Sequence, residues 1–412
     1  MAPHHDTAGA RTGLMSRQSA LLWNNPGVTR PHRPHRPQRH HPPKSGPSQA
    51  AAQSVRPLEL FFDLVFVFAI TQITSLLAEH PSGTGLVRVA VLLAVTWWMY
   101  GGYAWLTNAL DLERTRPRLL LLAGTAAFFV MSLAVPRAFG PGPWGALFGA
   151  SYLVVVLIHT LGFVGTSGHR GIARIGPFNL LGALIVLAAG LAPQGLRLEL
   201  LALACVVLVA APFITGTGGF TVGVGHFVER HGLAVIILLG ESIVEVGTAA
   251  TDLDDLATVV LGPLLALALS ASLWWLYFDR EERDSERLLG RVPAEQRPRL
   301  ALYSFGYAYL VMIFGIAVTA VGMQEAVTSF TTPLHGLPAG LLALGMALFL
   351  VGLAYFHRTL AGSWSGTRLV GAVAVALTVP AARWVGGWLA LVVALAVMVL
   401  LILRSRPVPE AG

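Results

Sequence analysis

The sequence predicts an all-α, polytopic integral membrane protein of about twelve transmembrane helices in two parallel six-helix repeats. Three observations lead there. Of 412 residues, 55% are hydrophobic and only 12% are charged, with a mean hydropathy of +0.66; soluble domains carry roughly a quarter charged residues. The apolar residues fall in continuous runs of about 20, the length of a membrane-crossing helix, and not in the alternation of a strand barrel. Short segments of the first half recur in the second half in the same order.

Residues 1–54 come first. They are rich in Pro, Arg, His and Ser, for example Arg30-Pro31-His32-Arg33, and are expected to form a disordered basic cytoplasmic tail and not a secretory signal. Residues 1–56 hold eight basic residues against the single acid Asp6, which accounts for the whole net charge of +7. The basic balance therefore reports a tail near anionic lipid heads, and nucleic acid is not an expected partner. The single lysine, Lys44, lies in that tail, which excludes a retinal Schiff base within the membrane. The single cysteine, Cys205, excludes an internal disulfide, a thiolate metal cluster or a CxxC pair. No cofactor or metal site is expected.

Twelve spans follow, at about 58–78, 86–106, 118–135, 144–164, 177–193, 197–215, 230–250, 257–278, 300–321, 337–356, 367–381 and 385–403. The loop arginines test that order. Arg114, Arg116 and Arg118, then Arg170 and Arg174, then the six arginines between Arg280 and Arg299 all fall on the side of the tail. The opposite side holds Asp252, Asp254 and Asp255 and few arginines. The positive-inside rule then places both termini in the cytoplasm of a bacterial inner membrane.

The halves match in order. Trp97-Trp98-Met99-Tyr100 resembles Trp274-Trp275-Leu276-Tyr277, and Arg116-Pro117-Arg118-Leu119 resembles Arg297-Pro298-Arg299-Leu300, at offsets of 177 and 181. His159 and His357 extend the series. Repeat 1 is expected over 55–225 and repeat 2 over 226–405, with 406–412 a short tail. Six spans per unit make the repeats parallel.

Acids inside these spans carry the functional expectation, because a charge in lipid is costly unless it is paired, protonated or facing a polar cavity. Glu59 and Asp63 stand four apart in the opening stretch Leu58-Glu59-Leu60-Phe61-Phe62-Asp63-Leu64, on one helical face. The alternative is that they only favour a helix N-terminus, beside Arg56. Glu241 lies near the midplane of the seventh span, with Glu245 one turn on and no Lys or Arg at that depth. His226, Glu229 and Arg230 are expected as an ion-paired cap at the membrane edge. Trp97, Trp98, Trp274 and Trp275 suit interfacial anchoring and packing more than a substrate pocket. Asn108, Asp111 and Asp279 are expected as loop or cap residues. There is no GxxxxGK[ST] or HExxH pattern.

The opening stretch with Phe62, His226-x-x-Glu229-Arg230-x-Gly232 with Gly240-Glu241-Ser242, and Trp274-Trp275-Leu276-Tyr277-Phe278-Asp279 together resemble the bacterial low temperature requirement A family, over about residues 55 to 403; Asn108 and Asp111 fit its pattern as well. The resemblance implies a multi-spanning membrane protein linked by name to growth in the cold, and it supplies no substrate. Tyr309 stands where the resemblance leads one to expect a histidine, and Glu245 is an added acid. The expected function is a transporter or channel-like protein that binds a proton, cation or small solute at Glu241, Asp63, Glu245 and Glu59. The alternatives are a non-transporting cold-response sensor or accessory protein, or a membrane-embedded enzyme acting on lipid.

Overall fold

The computed structural model describes residues 55–279 and 281–404. The expected tail at 1–54 and the residues after 404 lie outside the described residues. All regular structure among the described residues is helical. The helices are α1 (Pro57–Glu79), α2 (Gly83–Ala109), α3 (Thr115–Ala134), α4 (Trp144–Gly162), α5 (His169–Leu191), α6 (Gln194–Thr215), α7 (Val224–Ala250) and α8 (Leu256–Phe278). They continue with α9 (Glu281–Arg291), α10 (Arg297–Ala301), α11 (Tyr309–Thr328), α12 (Pro338–Ala361), α13 (Gly366–Ala374), α14 (Thr378–Trp384) and α15 (Gly387–Arg404).

Eleven helical stretches among the described residues are long and apolar enough to cross a membrane. The expected span at 367–381 differs. It is α13, a 3-10 turn at Val375–Leu377 and then α14. The broken segment still runs the length of α12 in the opposite direction. Arg368 donates to the Leu353 carbonyl at 3.2 Å near one end, and the Ala382 carbonyl accepts the Leu334 N–H at 3.0 Å at the other. Pro380 lies within the second piece, where it has no N–H for the helical ladder and crowds the preceding turn. The 279–299 connection, expected as a loop, contains α9. Its buried Glu281 pairs with Arg368, and Glu281 Oε2 lies 3.7 Å from His357 Nδ1.

In the first half, α1 packs on α2 and α3, α3 on α4, α4 on α5, α5 on α6, and α6 returns to α2. In the second, α7 packs on α8 and α11, α11 on α12, α12 on the α13–α14 segment, α14 on α15, and α15 returns to α8. The halves meet where α1 and α2 face α7 and α11. Just ahead of α11 the helix widens to a π-turn at Leu302–Ala308. There the Gly306 carbonyl accepts the Trp97 indole N–H at 2.9 Å, a bond that ties α2 to the second half.

In lipid, apolar burial gives little drive for helices to associate, so close backbone packing matters more. The α11–α12 pair shows this. A Cβ on Gly315 would fall onto the Phe349 backbone, and one on Gly345 onto the Thr319 backbone. Gly315→Val therefore has to push the two helices apart. Overpacking of this kind costs about 1–3 kcal/mol or more. Thermal unfolding in detergent is expected to show a clear loss for Gly315→Val and none for Gly247→Ala, where a Cβ meets open space.

Candidate functional site

Helices α1 and α7 run parallel and nearly in register, and a polar seam lies between them. Near their N-terminal ends, Glu59 Oε1 accepts from Arg230 Nη1 at 2.8 Å, and Glu59 Oε2 pairs with His226 Nε2 at 2.9 Å. Arg230 Nη2 reaches Asp63 Oδ1 at 3.2 Å. Thr107 of α2 accepts a further Arg230 N–H. Glu59, Asp63 and Arg230 are all completely buried. Farther along, Thr71 donates to Glu241 Oε1 at 2.8 Å and Thr74 donates to Glu245 Oε1 at 3.0 Å. Both threonines come from α1, and both glutamates from α7.

The sequence builds each tier simply. Glu59 and Asp63, like Glu241 and Glu245, are four apart, so each pair shares a helical face. Thr71 and Thr74, three apart, present two hydroxyls to the second pair. Aromatic rings enclose the first tier. The Phe62 ring stacks on Tyr103 with centroids 4.9 Å apart and lies 5.5 Å from the Arg230 guanidinium carbon. The Tyr100 ring lies 5.8 Å from that carbon.

Two carboxylates and one guanidinium leave this tier with one excess negative charge when His226 is neutral. Three of its buried atoms, Asp63 Oδ2, Tyr100 OH and Arg230 Nε, make no hydrogen bond of ordinary geometry, although the Tyr100 hydroxyl lies close enough to interact with both Asp63 and Arg230. Buried polar atoms are nearly always partnered, so a proton on this group of atoms would complete its hydrogen bonding.

Several sequence-derived placements shift. Helix α7 begins at Val224, six residues before the expected start, so Glu241 sits about two-thirds along the helix and not at its middle. The backbone can stay helical there because the early polar residues are partnered across the seam. Arg230, expected in an ion-paired cap at the membrane edge, is the completely buried partner of both first-tier acids. Arg56, expected beside those acids, sends its guanidinium to within 3.7 Å of Glu113. Its backbone N–H is instead capped by Glu59 Oε2 at 3.1 Å. Glu229 accepts the Val55 N–H at 3.1 Å. Asn108, in the last turn of α2, clasps Gly223 through N–H and carbonyl at 2.9 and 3.3 Å and so fixes the entry to α7. Asp111 closes a turn on the Glu113 N–H and pairs with Arg114. Asp279 is the C-terminal cap residue of α8. Trp274 and Trp275 are 42% and 49% exposed on the outer surface, as anchors would be, whereas Trp97 is buried.

The sequence reasoning missed Thr71 and Thr107, and the pairing of Thr74 with Glu245. The signal lay in two hydroxyls three apart on α1 and two glutamates four apart on α7, each pair on one helical face. It also missed that the Tyr309 hydroxyl hydrogen-bonds the Tyr277 hydroxyl in the core.

Comparison with known proteins agrees with the motifs. The family described as "Bacterial low temperature requirement A protein" matches residues 54–403. An uncharacterized protein of Rhizobium meliloti (strain 1021), RA0937, is 32% identical over 288 residues, covering 64% of this chain and 67% of that protein. No solved structure matches.

Removing Arg230 alone leaves two buried acids without their cation, which costs about 3–5 kcal/mol for comparable buried pairs. Arg230→Met is expected to lose that much in denaturant or thermal unfolding. Adding Glu59→Gln and Asp63→Asn to the same chain is expected to restore most of it, because no uncompensated charge then remains.

Proposed function

The chain belongs to the bacterial low temperature requirement A family, and from that premise we propose that it is a membrane transport protein that takes up a proton or small cation along the α1–α7 seam. One observation carries this reading. With His226 neutral, the buried first tier holds one more carboxylate than cation, and Asp63 Oδ2 makes no hydrogen bond of ordinary geometry, with the Tyr100 hydroxyl nearby. A bound proton or cation would balance the charge and use that oxygen. Glu59 and Arg230 act as the fixed ion pair that holds the helices together. Asp63 is the exchanging group, and Glu241 and Glu245 with their threonine donors form a second station farther along the seam.

The arrangement of helices supports a parallel duplication as the frame for this seam. Each half repeats the same order of neighbours, from the first helix on the second and third to the sixth returning to the second. The first helices of the two halves, α1 and α7, meet in parallel at the centre, where repeat-built transporters hold their ions. With the broken α13–α14 segment counted as one crossing, twelve crossings put both termini on one side. The loop arginines support a cytoplasmic side for both termini, in the inner membrane.

Flux in proteoliposomes tests the reading. Wild type is expected to move protons or alkali cations down an imposed gradient, with a rate that depends on pH. Asp63→Asn and Glu241→Gln are expected to reduce that flux strongly while the protein remains folded. A measurable flux that neither substitution alters would remove these acids from the pathway.

A further inference from the structure

A cavity separate from the acidic seam lies among α2, α4, α5, α6, α7 and the π-turn. Its walls are aromatic: Trp97, Trp98, Trp105, Phe163, Phe220 and Phe305. Three buried polar side chains interrupt them, and no Asp, Glu, Lys or Arg does. His159 is 3% exposed, and neither ring nitrogen makes a hydrogen bond of good geometry, Nε2 lying against the Gly102 backbone. Asn179, equally buried, accepts the Trp98 indole N–H through Oδ1 at 3.0 Å, which leaves its amide N–H groups as donors. His231 Nδ1 contacts the Phe227 carbonyl at 2.7 Å. The imidazole therefore donates there, and its other nitrogen is left as an acceptor.

The neighbouring helices leave this space open. Gly101 and Gly102 both line it, and a Cβ on Gly101 meets nothing within 4 Å. A second recess shares Pro212, Gly216, Thr217 and Leu302 with the cavity and adds Phe213, Arg299, Tyr303 and Tyr307, so the only charge at this mouth is a cation at its rim. Phe213 is 64% exposed on the outer surface. Exposed apolar and tyrosine side chains of this kind suit the lipid boundary. The shared residues thus join the aromatic cavity to the lipid-facing surface, between the end of α6 and the π-turn.

We infer that this cavity binds the head of an uncharged, planar, lipid-soluble molecule bearing hydrogen-bonding oxygens, of the quinone class. Flat rings fit between indole and phenyl faces. The uncharged lining gives an ion no counter-charge. Oxygens on the ring would accept from the Asn179 amide and from a His159 N–H, supplying the partner that the buried imidazole lacks. The lateral mouth suits a ligand that arrives from the bilayer with its tail trailing in lipid. A quaternary ammonium would suit the aromatic walls alone but leaves the His159 nitrogens unsatisfied. The inference stands apart from the carboxylate seam, since none of the seam's acids lines this cavity.

The probe is decylubiquinone, titrated into purified protein in lipid nanodiscs while tryptophan emission is followed. Wild type is expected to show saturable quenching. His159→Leu is expected to weaken binding by about tenfold, the scale of one lost hydrogen bond. Gly101→Leu is expected to fill the cavity and abolish saturable quenching. Gly340→Leu, on α12 where a Cβ also meets open space, is expected to leave it intact. If Gly101→Leu does not fold, Asn179→Leu is held to the criterion set for His159→Leu. Absence of saturable quenching in wild type overturns the proposal, as does equal affinity in the cavity variants. Displacement of the quinone by tetramethylammonium would also overturn it, by assigning the aromatic walls to a cation.

Discussion

Arg230 is the constraint on which the centre of the molecule depends. It is completely buried, holds Glu59 and Asp63 of α1, and is itself a residue of α7. A guanidinium in a membrane interior is tolerated only with such partners, so α1 and α7 have to lie side by side with their starts level. That register carries the rest of the seam. Once Glu59 meets Arg230, Thr71 falls opposite Glu241 and Thr74 opposite Glu245. The ion pair is thus a positioning device for the second tier as well as a contact in its own right.

The same parallel contact organises the surroundings. Helices α2 and α11 complete the central group, joined by the Trp97 bond to the Gly306 carbonyl and by Trp97 and Tyr309 rings 6.1 Å apart. The Trp97, Tyr100 and His231 rings then form a wall. On one side of it lies the charged tier, and on the other the uncharged aromatic cavity. Two chemically different interiors within one bundle follow from that wall. One is lined by carboxylates and a cation, the other by rings and neutral donors and acceptors.

Much of this was legible in the sequence, for identifiable reasons. Uninterrupted apolar runs report helices in a bilayer directly, because length and hydropathy are local properties, and eleven of the expected spans correspond to helices long enough to cross. The α13–α14 break left only Pro380 as a signal, and Pro177, Pro212 and Pro263 stand inside unbroken helices, so a proline in an apolar run did not mark it. The acids stood out because charge is rare in such runs. Their partners did not. Arg230 lies 171 residues from Glu59, and threonines carry no strong signal inside an apolar helix. The expected start of α7 at Arg230 excluded His226 and Glu229 because polar residues usually end a span. Here they extend it, since each is satisfied by a partner and not by water. The aromatic cavity was hidden for a related reason. Trp97 and Trp274 occupy similar motifs, yet one faces the core and the other faces outward.

In the proposed function the first tier carries a single exchangeable proton, held at Asp63 beside the Glu59–Arg230 pair. Infrared difference spectroscopy on protein in nanodiscs, recorded between acid and alkaline buffer, tests it most directly. A carbonyl-stretch band of a protonated carboxylic acid is expected in wild type, absent in Asp63→Asn and retained in Glu245→Gln. A spectrum with no such band, or a band unchanged in Asp63→Asn, would contradict it.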